Sequence, residues 1–343
     1  MRIALATDAW FPQVNGVVTT LARTRDELQR LGHEVLYITP ENFRTVPLPS
    51  YPEIRLALWP GRRVAKLLDD FAPDAIHVAT EGTLGLATRA YCLRRRLPFT
   101  TAYHTRFPEY VQLRTRLPLK VGYAMSRWFH GRAVRTMVAT ASLRDELSQW
   151  GFRNLAPWSR GVDTNLFRPR PRTNDADPRP KFLYCGRVAV EKNIEAFLSL
   201  DLPGTKIVVG DGPDMEMLRK KYPEVRFTGY RKGEPLAETI SQADAFVFAS
   251  RTDTFGIVLI EAMACGVPVA AFPVPGPIDI IENGVTGILS EDLHTAALQA
   301  LNLSRAACVA AASRYTWEAS TRQFVANLAT ITRTATASVT ALV

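Results

Sequence analysis

Short apolar runs alternate with amphipathic stretches along almost the whole chain. Ile3–Ala6, Val35–Ile38, Ala75–Val78, Phe99–Tyr103 and Thr136–Ala141 each have the length and apolar density of a strand. Helical patterns lie between them, the clearest running from Val17 to Leu31 and stopped by Gly32. The alternation pauses over residues 168–180, where Arg and Pro dominate, and this stretch reads as a linker. It restarts with strands over Phe182–Cys185, Lys206–Val209, Val225–Thr228, Ala245–Ala249 and Val267–Ala271. A closing helix is predicted over Trp317–Ile331, with 332–343 fraying. Alternation of this kind builds an α/β fold with doubly wound parallel sheets. The pause predicts two Rossmann-like domains, 1–167 and 181–315, joined by the linker, with 316–343 as a C-terminal helix.

A length of 343 residues and a hydrophobic content of 47% suit two well-filled cores. The longest apolar passage, Ile257–Pro275, is broken by Glu261, Gly266, Pro268 and Pro273, so it reads as core rather than a membrane span. With a strand beginning at Arg2, no signal peptide is expected, and a cytoplasmic protein is inferred. Cysteines 92, 185, 265 and 308 have no paired spacing; buried free thiols are expected, not a metal knuckle or a disulfide framework. The net charge of +9 is uneven. Residues 1–170 carry 25 basic and 14 acidic side chains, the remainder 17 and 19. Tyr110–Arg144 holds seven basic residues and no acidic one, which points to an anionic partner, nucleic acid or a membrane surface.

Ligands of open parallel sheets bind beyond the carboxyl ends of the strands. Several chemically capable residues fall there. Gly186-Arg187 through Lys192 follows the first strand of the second half, placing two cations where a diphosphate would sit. Gly210-Asp211-Gly212-Pro213 follows the next strand; it serves either as a simple turn or as a nucleotide contact, and lacks the third glycine of a dinucleotide fingerprint. Gly229-Tyr230 closes another. Ser250 through Val269 then runs from a strand through a polar loop into an apolar helix, with Asp253 in the loop and Glu261 inside the helix. A carboxylate within an apolar helix needs a partner, and a sugar diol provides one. In the first half, Asn15-Gly16 opens a helix whose N-terminus favours negative charge, and His104 directly follows a strand.

Taken together, Asn15-Gly16-Val17, His104, Arg187 with Lys192, Gly210–Pro213, the carboxylate motif and Tyr315-Thr316-Trp317-Glu318 resemble the group-1 family of retaining glycosyltransferases of GT-B architecture, two facing Rossmann domains. The resemblance spans nearly the whole chain. It implies a nucleotide-sugar donor in the second domain, with Glu261 on the ribose diol and Arg187 and Lys192 on the diphosphate. It further implies Asp253, Thr254, Phe255 and Gly256 at the donor sugar and phosphate, Gly186, Gly212, Gly229 and Tyr230 around the donor, and His104, Asn15 and Gly16 facing the transferred sugar. His104, Asp253, Arg187 and Lys192 would carry the chemistry. The last helix would cross back to the first domain. The family pattern is Glu-x7-Glu, whereas this chain has Asp253-x7-Glu261, a shorter arm at the sugar end. No Asp-x-Asp metal motif is read among the donor-site loops, so neither metal nor other cofactor is expected.

Within Arg116–Arg135, basic residues interleave with Leu117, Val121, Met125, Trp128 and Phe129. This suits an interfacial helix, with Arg116, Lys120, Arg127 and Arg132 at anionic headgroups and Trp128 and Phe129 at the acyl boundary; an ordinary domain helix with a basic face has the same composition. Within this scaffold nucleic acid is the weaker partner. The pattern is most similar to bacterial enzymes that glycosylate diacylglycerol with a UDP-sugar, and the expected location is the inner face of the cytoplasmic membrane. GDP-mannose-dependent mannosyltransferases share nearly every motif. A non-catalytic basic membrane-docking protein is the reading from another class, opposed by the presence of Arg187, Lys192 and Glu261.

Overall fold

A computed structural model describes residues 1–13, 15–48, 51–172 and 177–332. The strands in chain order are β1 (Arg2–Ala6), β2 (Glu34–Ile38), β3 (Thr45–Leu48), β4 (Tyr51–Ala57), β5 (Ala75–Val78), β6 (Thr100–Ala102), β7 (Arg135–Val138) and β8 (Leu155–Pro157) in the first half. The second half contributes β9 (Lys181–Cys185), β10 (Thr205–Val209), β11 (Arg226–Phe227), β12 (Ala245–Phe248), β13 (Val269–Ala271) and β14 (Gly287–Leu289). They form two parallel six-stranded sheets, ordered β2-β1-β5-β6-β7-β8 and β11-β10-β9-β12-β13-β14, while β3 and β4 pair antiparallel on their own. The second order reverses between β9 and β12, and the first between β1 and β5. Those are the switch points at which doubly wound sheets bind ligands.

Apolar side chains fill the layers on both faces of each sheet. Ile3, Leu5, Ile76 and Val78 are fully buried in the first sheet, and Phe182, Leu183, Phe246 and Val247 in the second. Each such side chain contributes about 1.5–3 kcal/mol of burial. Residues on both faces are apolar because helices cover both, which is why the strands read as unbroken runs and not as alternating ones.

Two regions differ from the sequence-based expectation. The Pro-rich stretch 168–180 is not a free linker between domains, because its described residues lie along the second domain. Arg170 reaches Glu234 at 2.5 Å, Arg172 reaches Asp244 at 2.7 Å, and Pro171 O accepts from Gln242 at 2.9 Å. Residues 173–176 lie outside the described residues. The chain enters the second domain's core earlier, through Val162 and Phe167. The C-terminal helix is Trp317–Asn327, shorter than expected, and it packs on the first domain. Its Phe324 is fully buried 4.9 Å from both the His77 and Trp158 rings, and Ser320 donates to Ser159 O at 2.7 Å. At the crossing, Val162 N donates to Tyr315 O at 3.0 Å. A Cβ at Gly161 would stand 2.3 Å from Trp317 N, so this position needs a glycine. Beyond residue 332 the expected frayed tail lies outside the described residues.

Candidate active site

Beyond the carboxyl end of β9, backbone packs on backbone. Val188 N donates to Asp211 O at 2.9 Å, and Gly210 N donates to Gly229 O at 3.0 Å. A Cβ at Gly210 would meet Gly186 O at 1.8 Å, and one at Gly212 would meet Val188 O at 2.2 Å. The glycines at 210 and 212 therefore let the loops after β9 and β10 stack, while Gly229, at φ +76, turns the loop after β11 beside them; together they set the floor of a cleft. Tyr230 stands half exposed at its rim.

Arg187 and Lys192 rise from this floor. The helix expected to follow is the single turn Glu195–Leu198, and Lys192 ends a 3-10 turn at Val190–Lys192. Lys192 Nζ lies 2.5 Å from Asp253 Oδ1, each side chain about one-fifth exposed. Burial pulls the ammonium's pKa down, but Asp253 and Tyr110 outweigh it and the net shift is upward. Arg187 Nε approaches Glu191 Oε1 at 3.8 Å. Both cations are thus held by carboxylates on the cleft wall.

The opposite wall is the loop from Ser250 into the helix Ile257–Ala264. Gly256 precedes that helix with φ +87, a conformation open to glycine, and leaves its first N–H groups uncapped by any side chain. Phe255 is buried with its ring 6.2 Å from Tyr315. Thr254 Oγ1 donates to His104 O at 2.8 Å, and Thr140 Oγ1 to Thr254 O at 3.5 Å, so this loop is fastened to the first domain. Glu261 makes no hydrogen bond or ion pair among the described residues. Burial pushes its carboxyl up to about 7, with Arg23 the moderating charge.

From the first domain, Asn15 caps the helix Gly16–Arg30, its Oδ1 accepting from Val17 N and Val18 N at 3.0 Å. That oxygen is engaged by its own helix. Gly16 does face the cleft, since a Cβ there would lie 3.7 Å from Ile257 Cδ1. His104 is buried beside Trp158 and Arg160, and its pKa is held well below the ordinary value by burial first and by Arg160, His77 and His130 next. Ser142 N donates to Asp279 Oδ1 at 2.9 Å, and its hydroxyl bonds the same carboxylate, a second tie between the domains.

Three residues with buried or interdomain polar contacts escaped sequence reasoning. Tyr110, on the helix Phe107–Thr115, crosses to Thr252 and stands beside Lys192 and Asp253. Arg160 is 4% exposed. Asp8 is buried, accepting from Leu84 N at 2.9 Å and Gly85 N at 3.2 Å at the start of the helix Thr83–Arg95. An aromatic in a basic stretch, an arginine before a glycine and an aspartate after a strand carry no distinguishing spacing.

The basic segment forms the helix Leu119–His130. Arg116, Lys120, Arg127, Trp128 and Arg132 are exposed as expected. Phe129 is not. It is 3% exposed and packs in the core with Tyr91, Cys92 and Phe99, because helical spacing turns positions 123, 126 and 129 inward while 121, 125 and 128 turn out. Arg89 holds this helix in place through the Trp128 and Phe129 carbonyls, at 2.8 and 2.9 Å, and covers the Trp128 ring at 4.2 Å.

Two parallel doubly wound domains facing across such a cleft define the GT-B class, and comparison with known proteins agrees. Residues 14–166 match Glycosyltransferase Family 4, and residues 179–305 match Glycosyl transferases group 1. A GDP-mannose-dependent alpha-mannosyltransferase from Mycolicibacterium smegmatis is 32% identical, with 84% of each chain covered. The sulfoquinovosyl transferase SQD2 of Arabidopsis thaliana is 32% identical over 84% of this chain and 63% of its own. An alpha-monoglucosyldiacylglycerol synthase from Streptococcus pneumoniae is 28% identical over 88% and 78%. Among solved structures, sucrose-phosphate synthase from Thermosynechococcus elongatus superposes with TM-score 0.74 at 21% identity, covering 95% and 97%. Anabaena HepE with UDP-glucose superposes with TM-score 0.68 at 18% identity, covering 95% and 98%. The chain belongs to the group-1 glycosyltransferase family and is a glycosyltransferase.

Proposed function

We propose that the protein transfers a hexose from a nucleoside-diphosphate sugar to a membrane-lipid acceptor, with retention of anomeric configuration and without a metal. The observation that carries this reading is the pairing of Lys192 with Asp253, in the loop leading to the helix that carries Glu261, a carboxylate with no partner among the described residues. Glu261 takes the ribose diol, and Arg187 and Lys192 take the diphosphate. Breaking the anomeric bond puts negative charge on the departing diphosphate, which fixed cations and the N–H groups at the start of the helix after Gly256 stabilise. Asp253, held by Lys192, is left at the sugar end. Same-face attack by an acceptor hydroxyl then passes its proton to the leaving phosphate.

Support for a lipid acceptor comes from the relatives named for diacylglycerol and for phosphatidylinositol dimannoside. It also comes from exposed Val121, Met125 and Trp128 among Arg116, Lys120, Arg127 and Arg132. Among the described residues no helix is long and apolar enough to cross a membrane. Peripheral docking on an anionic cytoplasmic-side membrane fits that surface. The UDP-sugar donor is the first reading. GDP-mannose is the second, favoured by the mannosyltransferases at 30–32% identity.

The test is incubation with a panel of UDP- and GDP-sugars and lipid vesicles, followed by mass spectrometry of the lipid. A glycolipid absent from the Glu261→Ala reaction supports the proposal. Transfer from no donor, with wild type and Glu261→Ala alike, overturns it.

A further inference from the structure

His104 holds a hydrogen-bond donor that nothing in the described chain receives. Its Nδ1 lies 3.3 Å from Arg160 Nη2. A guanidinium has donors only, so Nδ1 must accept, and the single proton of the neutral ring then sits on Nε2. Nε2 is buried and has no partner among the described residues.

Arg160 is itself fixed. Its Nη1 donates to Trp158 O and to Ser159 O, the latter at 3.1 Å, and its guanidinium carbon lies 4.5 Å from the Trp158 ring. No carboxylate pairs with it among the described residues, which is unusual for a cation so fully buried. Its contact with His104 sits at the domain boundary, where the same histidine's carbonyl receives Thr254 of the opposite loop.

We propose that Arg160 is a positioning residue that locks His104 in the Nε2–H tautomer, so that the imidazole acts as a neutral hydrogen-bond donor to an oxygen of the transferred sugar. This rests on the function proposed above. A neutral ring suits the place, because an imidazolium would oppose the positive charge that develops at the anomeric carbon. In the other tautomer, Nε2 would present a lone pair and lose its grip on any oxygen without a hydrogen.

The experiment is long-range proton–nitrogen correlation NMR on the 15N-labelled, donor-free full chain, with His104 assigned by the signal lost in His104→Asn. The expected result is a bare Nδ1 and a protonated Nε2. Arg160→Met should give mixed tautomers and a kcat lowered about 10- to 100-fold, with donor KM changed less. Arg160→Lys, which still donates, should keep the Nε2–H pattern and most of kcat. A protonated Nδ1 in the wild type overturns the proposal, as does Arg160→Met that keeps both the pattern and the wild-type kcat. Should Arg160→Met fail to fold, the wild type and Arg160→Lys decide. The tautomer is read without substrate, so failure of the proposed reaction leaves this result intact.

Discussion

In the proposed function, Glu261 sets donor binding against stability. Its carboxyl titrates at about 7, compared with an ordinary 4.5, because burial disfavours the charged form. Between those values the folded chain binds more protons than the unfolded one, so this group's contribution is present below pH 4.5 and is lost as pH rises through 7. Glu261→Gln is therefore expected to raise stability at pH 8 by roughly 1–3 kcal/mol and to change it little at pH 4.5. Thermal melts at both values check this, and equal shifts would contradict it. The same substitution should weaken donor binding, and the wild type should lose donor affinity as pH falls below about 7, measured by calorimetry. Lys192 offers the complementary case. In the proposed chemistry, removing the cation should cost about 10²–10³ in kcat and leave Asp253 unpaired in a partly buried wall, so Lys192→Ala is expected to lose both rate and stability.

At the scale of elements, the helix Leu119–His130 sets a buried face and an exposed apolar and basic face only a few positions apart, and the second is the docking face in the proposed function. Phe129→Ala should cost about 3–5 kcal/mol by opening the core, whereas Met125→Ala should fall within about 0.5 kcal/mol. In vesicle co-sedimentation the order reverses: Val121→Asp with Met125→Asp should abolish binding to anionic lipid while the melting temperature holds. Binding indifferent to those changes, to salt and to anionic lipid content would remove the interfacial role. Composition located this segment but not its faces, because which of Trp128 and Phe129 turns inward depends on the helix packed against it. The strands were legible for the same physical reason that they are buried: covered on both sides, they are continuous apolar runs. β3 and β4 were not, since prolines at 47 and 52 break their pattern, and β8 and β14 were not, since these short edge strands are only partly buried and include Pro157 and Gly287. At the site, Arg187, Lys192, Asp253 and Glu261 follow their strands closely enough to be found by position. Tyr110 reaches it from the helix Phe107–Thr115, and Arg160 follows β8, a strand that the apolar pattern did not reveal.

For the whole molecule, the two domains meet through a few polar ties, chiefly Ser142 with Asp279 and Thr254 with His104. Asp279 accepts at the start of the helix Ala141–Gln149, where the exposed N–H groups favour a carboxylate. Asp279→Ala should open the cleft in the absence of donor, seen as a larger radius of gyration by solution scattering, with donor restoring the compact form. An unchanged radius would mean that the tie does not govern closure. Activity should survive exhaustive chelation, since fixed cations take the part of a metal in the proposed chemistry; loss on chelation and recovery with a divalent ion would revise it.

The crossing at Gly161 has a practical reading. Because Val162 and Tyr315 are hydrogen-bonded neighbours, residues 162–315 form a cassette inserted into a first domain made of 1–161 and the returning helix. Its two ends lie side by side, so a chimaera that exchanges donor specificity between relatives should be spliced at both ends at once. A single cut after the Pro-rich stretch would carry off the helix that seals Phe324 against Trp158, and leave each half with a piece of the other's core.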